Sequence, residues 1–155
     1  MFNIFPFTKK KPLLAPEEQE QVVACIKEAE NRTTGELRVF VESKCSYMDA
    51  MHRAWEVFHK LGMLATERRN AVLVYLAIDD RQFAIVGDKE IYERAGGPAF
   101  WEKAAEQLKS HLKNGEMALG LCTCINELGN AMATHFPYDP TITRNELPDE
   151  IVFGK

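Results

Sequence analysis

The pattern of apolar and polar residues along the chain changes its period several times. In five segments the apolar residues recur every three or four positions, which predicts helices. These segments are about 16–30, 48–61, a short turn at 89–94, 98–113 and 116–135. Proline followed by two glutamates at position 16 suits the first turn of a helix, and Gly62 suits the end of the second one.

Three shorter segments have the patterns of strands. At 36–43 apolar and polar residues alternate, as in a strand with one buried face. Residues 71–78 form an unbroken apolar run rich in β-formers, which is typical of a central strand covered on both faces. Residues 82–87 follow a short polar turn, so we expect them to return as a hairpin partner.

The order of these elements predicts a mixed sheet. A helix joins the first two strands, so they should be parallel with a right-handed crossover, whereas the hairpin makes the third strand antiparallel to the second. The predicted fold class is α/β, a small mixed β-sheet sandwiched between helices in the order α-β-α-β-β-α-α-α. The residues expected in the core are Val39, Val41, Trp55, Phe58, Val74 and Leu76.

Length and composition indicate one globular domain. The chain has 155 residues, of which 46% are hydrophobic and 27% charged. A domain of this size buries roughly 70% of the surface that its unfolded chain exposes, so it needs no metal or disulfide to form a core. We expect an N-terminal segment at 1–15, an α/β domain at 16–136 and an extended, proline-containing C-terminal tail at 137–155.

Charge and hydropathy limit the classes of partner that the chain can bind. The net charge of -4 argues against nucleic acid, which requires a surplus of basic residues. No stretch approaches the roughly 20 apolar residues that span a bilayer, so we expect no stable membrane insertion. The short aromatic segment before Lys9-Lys10-Lys11 has the reverse order of a signal peptide. A membrane or partner contact by this segment stays open, and packing against the domain is the simpler expectation.

The cysteines are expected to be free thiols. Cys25 and Cys122 fall within helical patterns, and one residue separates Cys122 from Cys124, unlike the C-x-x-C spacing of many zinc and redox sites. With Cys45, they are interpreted as reduced thiols in a cytoplasmic protein, because disulfides are rare in reducing compartments.

Motifs at the three predicted strands together resemble the TPM domain family. The chain reads Thr34-Gly35-Glu36-Leu37-Arg38-Val39 at the first strand, and it has a long apolar second strand. Asp79-Asp80-Arg81 then leads to a third strand that ends at Gly87. The resemblance covers about residues 17–136 and is to a compact bacterial subgroup that lacks an export signal and a membrane helix. Many members continue as Gly-Tyr-Gly-Leu-Glu after the third strand, where this chain reads Gly87-Asp88-Lys89-Glu90-Ile91. The resemblance implies calcium binding, acid phosphatase activity, or assembly or repair of membrane complexes.

One edge of the predicted sheet gathers the first-choice metal ligands. The first two strands begin where the third ends, so Glu36, Asp88 and Glu90 should lie near one another, beside two glycines and Asn70. Oxygen ligands in a flexible arrangement suit calcium, and magnesium less well. This glycine edge is therefore the first choice for a weak calcium site.

The opposite edge carries a rival set. Asp79 and Asp80 lie there with Glu42 and Ser43, at the carboxyl end of the parallel pair, where open α/β sheets usually bind ligands. Asp-Asp-Arg is also an ordinary hairpin turn, so solvated charge is the competing explanation.

These features leave three hypotheses for function. The first is an accessory binding domain that contacts another protein and holds calcium weakly. The second is a metal-assisted acid phosphatase that uses the same carboxylates, although the sequence has no P-loop, G-x-S-x-G or G-x-G-x-x-G motif. The third is an assembly protein without a ligand. Cation titration distinguishes the third from the others, and phosphatase turnover that requires Glu36 and Asp88 distinguishes the second.

Overall fold

The computed structural model describes residues 13–45, 48–142 and 151–154, and the statements that follow concern these residues. The elements in chain order are α1 (Pro16–Glu30), β1 (Leu37–Glu42), α2 (Ala50–Lys60), β2 (Val72–Ala77), β3 (Gln82–Gly87), α3 (Lys89–Arg94), α4 (Pro98–Lys113), α5 (Met117–His135) and β4 (Val152–Phe153). The eight predicted elements are confirmed in their predicted order and close to their predicted bounds.

The strands form one mixed sheet in the order β3-β2-β1-β4. β1 and β2 are parallel, and β2 and β3 are antiparallel, with Val74 opposite Ile85, so the predicted fold class and strand directions are confirmed. The fourth strand was not predicted. Val152 lies opposite Phe40 and pairs parallel to β1, so part of the expected C-terminal tail completes the sheet.

Helices cover both faces of this sheet. α1, α4 and α5 pack on the face that carries Val39, Val41 and Val74, whereas α2 packs on the face that carries Phe40 and Tyr75. Because both faces are covered, all six residues of β1 and of β2 are buried. Within the described ranges, no helix is long and apolar enough to cross a bilayer.

The predicted core is confirmed except at one position. Phe58 is 0% exposed, and the four predicted strand residues are also buried. Trp55 is only half-buried, because it lines an open cleft beside β3; its ring contacts Phe58 edge-on at 5.0 Å between centroids.

The prediction that all four cysteines are free is wrong. Cys25 of α1 and Cys122 of α5 form a disulfide, with their Cα atoms 5.7 Å apart across 97 residues of sequence. The two helices pack side by side on one face of the sheet, and no local pattern reveals that pairing. Cys45 and Cys124 are free and buried, and burial raises the pKa of the Cys124 thiol to about 12.

Candidate functional site

At the glycine edge, the carboxylate of Asp88 is already paired with an arginine and is not free to bind a cation. Asp88 is 3% exposed, and its Oδ1 accepts a 2.8 Å hydrogen bond from the Lys89 backbone N–H at the start of α3. The Arg69 guanidinium donates to both carboxylate oxygens, each at 2.7 Å, and hydrogen bonding to Asp88 raises the pKa of Arg69. Because this bidentate pair is a strong arrangement, a cation that bound Asp88 would have to displace Arg69.

The backbone of Arg69 also fixes this edge. Arg69 has a φ of 52°, in the left-handed region, and its carbonyl accepts hydrogen bonds from Glu90 N–H at 3.1 Å and Ile91 N–H at 3.3 Å. Such a conformation costs a non-glycine residue about 1–2 kcal/mol. The cost is offset here by the hydrogen bonds that the Arg69 carbonyl accepts from two amides in the first turn of α3, which would otherwise be unpaired. Arg69 therefore connects the start of β2 to α3 through both its main chain and its side chain.

The other two first-choice acids do not complete a shared site with Asp88. Glu90 forms an i,i+4 ion pair with Arg94 at 3.5 Å, and Glu36 is buried at 8% exposure. Within the part of the chain that the structure describes, no group of three or more His, Cys, Asp or Glu side chains is placed to hold a metal. This holds at both edges of the sheet among the described residues. At the glycine edge, two of the three acids also have basic partners.

Asp79 and Asp80 lie at the opposite edge of the sheet, where β1 and β2 end, called the carboxyl edge here. Their hydrogen-bond partners are neutral groups. The Asp79 carboxylate accepts a short hydrogen bond from the Ser43 hydroxyl, and its backbone N–H donates to the Ser43 carbonyl at 2.8 Å. Asp80 Oδ2 accepts from the Cys45 backbone N–H at 2.8 Å and from its Sγ at 3.3 Å. Burial and the hydrogen bond to Asp80 raise the pKa of the Cys45 thiol, which keeps it a neutral donor. Among the described residues, no basic side chain forms an ion pair with either aspartate.

A buried polar network lies at the end of β1, beside this carboxyl edge. Glu42, the last residue of β1, is 3% exposed and accepts from Arg53 Nε at 2.7 Å and Nη2 at 3.0 Å. Tyr75 donates a short hydrogen bond to the same carboxylate, and Arg53 also bonds Glu56. Burial alone would raise the pKa of Glu42, but the bonds from Arg53 and Tyr75 outweigh it and lower that pKa. Burial and Glu42 raise the pKa of Tyr75, so the phenol stays a donor.

Sequence reasoning placed Glu42 at this edge but missed its two donors. Arg53 lies on α2 and Tyr75 lies in the middle of an apolar run, so neither stands out locally. The available signal was the parallel register, which sets Phe40 opposite Tyr75 and Glu42 opposite Ala77. A buried glutamate at a strand end requires hydrogen-bond donors from its neighbours, and that requirement indicates a network of this kind.

The acids at the two edges fall into three groups according to their partners. Asp88 and Glu90 take part in ion pairs that connect secondary-structure elements, and Glu42 belongs to a buried network. Asp79 and Asp80 are held by neutral hydrogen-bond donors in the β2–β3 turn, and among the described residues neither forms an ion pair, although Arg81 follows them in the chain. Such a pair can accept a cation through oxygen atoms without breaking an ion pair.

Comparison with known proteins places the chain in a family. The sequence model of the TPM domain matches residues 8–131. The NMR structure of BA42 protein from the psychrophilic bacterium Bizionia argentinensis is similar, with a TM-score of 0.83, 37% identity, and coverage of 94% of this chain and 99% of that chain. The N-terminal domain of cg2496 protein from Corynebacterium glutamicum shares the fold, with a TM-score of 0.61, 15% identity, and coverage of 77% and 74%. No curated protein matches the chain. The family match and the similarity to BA42 protein over nearly the whole chain establish that this chain belongs to the TPM domain family.

Proposed function

We propose that this chain is an accessory binding domain that holds a divalent cation weakly at the sheet edge carrying Asp79 and Asp80. The observation that carries the proposal is the contrast between the two edges. Arg69 occupies both carboxylate oxygens of Asp88, whereas the two turn aspartates are bonded only to neutral donors. Of the two edges, the carboxyl edge is therefore the one where a cation binds without displacing an arginine.

The donor set favours calcium over magnesium. Calcium accepts six to eight oxygen ligands in flexible geometry, and two aspartates on a turn, completed by backbone carbonyls and water, fit that preference better than the strict octahedron of magnesium. With two carboxylates in an exposed turn, the affinity should be weak. We expect a Kd of about 10⁻⁴ to 10⁻³ M, the range of open extracellular calcium modules.

The alternative site at Glu36, Asp88 and Glu90 fits less well. A cation there competes with the Arg69 guanidinium for Asp88 and with Arg94 for Glu90. Losing the bidentate pair also disturbs the start of α3, which Asp88 caps. Binding at this edge would therefore be coupled to a structural change, and binding at the turn would not.

Thermal denaturation with calcium tests the proposal. Calcium at ten times its Kd stabilises the folded state by about 1.4 kcal/mol, so the Tm should rise with calcium. Asp79→Asn with Asp80→Asn should abolish that rise. Glu102→Gln with Glu106→Gln, two exposed acids on α4, is the charge-matched control and should retain it.

The same titration separates the competing hypotheses. A calcium shift that survives in the Asp79/Asp80 variant and disappears in Glu36→Gln with Asp88→Asn assigns the cation to the glycine edge. The absence of any shift up to about 10 mM calcium contradicts cation binding and leaves the ligand-free assembly protein, because this concentration is ten times the weakest expected Kd. Turnover of p-nitrophenyl phosphate that copurifies with the wild type and is lost in an aspartate variant would support the phosphatase alternative.

A further inference from the structure

A groove of about 610 Å³ lies between the β2–β3 turn and the C-terminal end of α4. Its apolar lining includes Leu76, Ile78, Phe83, Leu112 and Met117. Its charged lining consists of Arg81, Lys109 and Lys113, and among the lining residues that the structure describes there is no acid. The volume lies within the range of small-molecule sites, roughly 300–1,000 Å³.

The acids nearest in sequence to this groove have partners elsewhere. Asp79 and Asp80 lie in the same turn as Arg81, but Asp79 accepts the Ser43 hydroxyl and Asp80 accepts the Cys45 N–H. In the turn after α4, the Glu116 carboxylate lies 3.0 Å from His111 Nδ1. Throughout the described ranges, none of the three groove cations forms an ion pair with a carboxylate. The groove therefore combines an apolar lining with three cations that form no ion pair among the described residues, in a protein whose net charge is -4.

Two local features at these cations are unfavourable: the backbone conformation of Arg81 and the spacing of the two lysines. Arg81 has a φ of 53° and donates its N–H to the Ile78 carbonyl at 3.2 Å, so it closes the turn in the left-handed region, which glycine or asparagine adopts at less cost. Lys109 and Lys113 are four residues apart on α4, where like charges repel. Three exposed cations around one apolar groove are complementary in charge to an anionic ligand.

We propose that this groove binds a single-chain anionic amphiphile, a fatty carboxylate; the site is distinct from the proposed cation site but adjacent to it, because Arg81 follows Asp80 in the same turn. The carboxylate head group contacts Arg81, Lys109 and Lys113, and the hydrocarbon chain covers the apolar lining. The charge of the groove selects the head group, and the concave shape between a turn and a helix accepts one free molecule rather than a flat membrane surface. The neutral alcohol of the same length lacks the attraction of the head group and binds more weakly.

Titration with decanoate below its micelle concentration tests the site, with the methyl signals of Ile78 and Met117 as the readout. These signals should shift in a saturable manner with decanoate. Decanol should bind at least about ten-fold more weakly, because it lacks the charge-assisted contacts. Octanoate, shorter by two methylenes, should bind about fifteen-fold more weakly if the chain is buried in the groove.

Matched variants assign the contacts. Lys109→Gln with Lys113→Gln should weaken decanoate binding at least about ten-fold, whereas Lys103→Gln, on the same helix but outside this groove, should leave it unchanged. Arg81→Asn should also weaken binding while preserving the turn, because asparagine tolerates the left-handed region. A thermal melt of each variant confirms that it is folded.

Several results would overturn the proposal. They are the absence of any decanoate-induced shift, equal affinity for decanoate and decanol, and unchanged affinity in the folded Lys109/Lys113 variant. Binding to phosphatidylglycerol vesicles without any response to monomeric decanoate would also overturn it, since that outcome identifies a membrane surface as the ligand.

Discussion

Replacing Arg53 with methionine should expose how strongly the buried network beside the carboxyl edge depends on its cation. Methionine keeps a flexible side chain of similar length on α2 but removes the two hydrogen bonds to Glu42, at 2.7 and 3.0 Å. Glu42 remains buried, with 4% of its side chain exposed, and keeps only the Tyr75 hydroxyl as a donor from this network. The variant therefore leaves a carboxylate in the interior without its counter-charge.

The expected loss of stability at pH 7 is about 3 kcal/mol. Breaking a buried ion pair by removing one partner costs about 3–5 kcal/mol. The lower end applies because 19% of the Arg53 side chain is exposed, which lets water solvate part of the vacated site. Since small domains have unfolding free energies of about 5–15 kcal/mol, the variant should fold but with a clearly lower midpoint in urea.

The loss should depend on pH in a defined direction. In the wild type the pKa of Glu42 lies below its ordinary value of 4.5, so its contribution to stability is present above that value and is lost as the pH falls through the folded-state pKa. In the variant, burial is the main remaining cause and raises the pKa of Glu42, so protonation favours the folded state as the pH falls. The stability difference between the two proteins should therefore narrow between pH 7 and pH 4.

Urea denaturation at several pH values, followed by far-UV circular dichroism, measures both effects. Lys60→Met is the control, because Lys60 pairs with Glu56 on the same helix at 3.9 Å and is 67% exposed, so its loss should cost under about 1 kcal/mol. A loss below 1 kcal/mol for Arg53→Met, or a difference from wild type that does not change with pH, would refute the assignment of Glu42 as a buried carboxylate that requires Arg53.

Three further changes test the packing and the covalent structure. Without reductant, alkylation of the unfolded protein should label only two thiols, and Cys25→Ser with Cys122→Ser should destabilise the protein by about 4–5 kcal/mol, as expected for a closed loop of roughly 100 residues; four labelled thiols would contradict the disulfide. Gly87→Ala should cost about 1–3 kcal/mol and alter the indole emission, because an added Cβ would lie 2.6 Å from the Trp101 ring; unchanged stability and emission would contradict this packing. Phe58→Ala should cost about 3–5 kcal/mol in a urea melt, because the ring is fully buried, and a loss under 1 kcal/mol would place the ring in solvent.

Local patterns were sufficient for most of the fold. The unbroken apolar run at 71–78 predicted a strand covered on both faces, and β2 is buried along its whole length between two helical layers. Helical spacing likewise predicted α4 at its observed bounds. The half-buried Trp55 shows the limit of this reasoning, since a stripe gives the direction of a side chain but not how far the neighbouring layer extends over it.

Interactions between distant residues could not be read from the sequence. The Cys25–Cys122 disulfide depends on how α1 and α5 pack, and β4 is only two residues long, too short for a periodic signal. At the glycine edge, strand directions correctly brought Asp88 to the sheet margin, but they did not reveal that Arg69 would occupy its carboxylate. Acidic residues near one another suggest a cation site only until their own basic partners are known.

The pairing of β4 with β1 has a consequence for aggregation. Without β4, β1 would be an edge strand of an apolar sheet, with unpaired N–H and C=O groups available to another chain. The Gly154 N–H bonds the Val41 carbonyl at 2.8 Å, and Val152 and Phe153 pair beside Phe40 and Val41. During synthesis this edge stays open until the last described residues, 151–154, have been made. Loss of these residues by proteolysis would leave the same edge open, so clipped molecules should associate through β1 even while the rest of the domain remains folded.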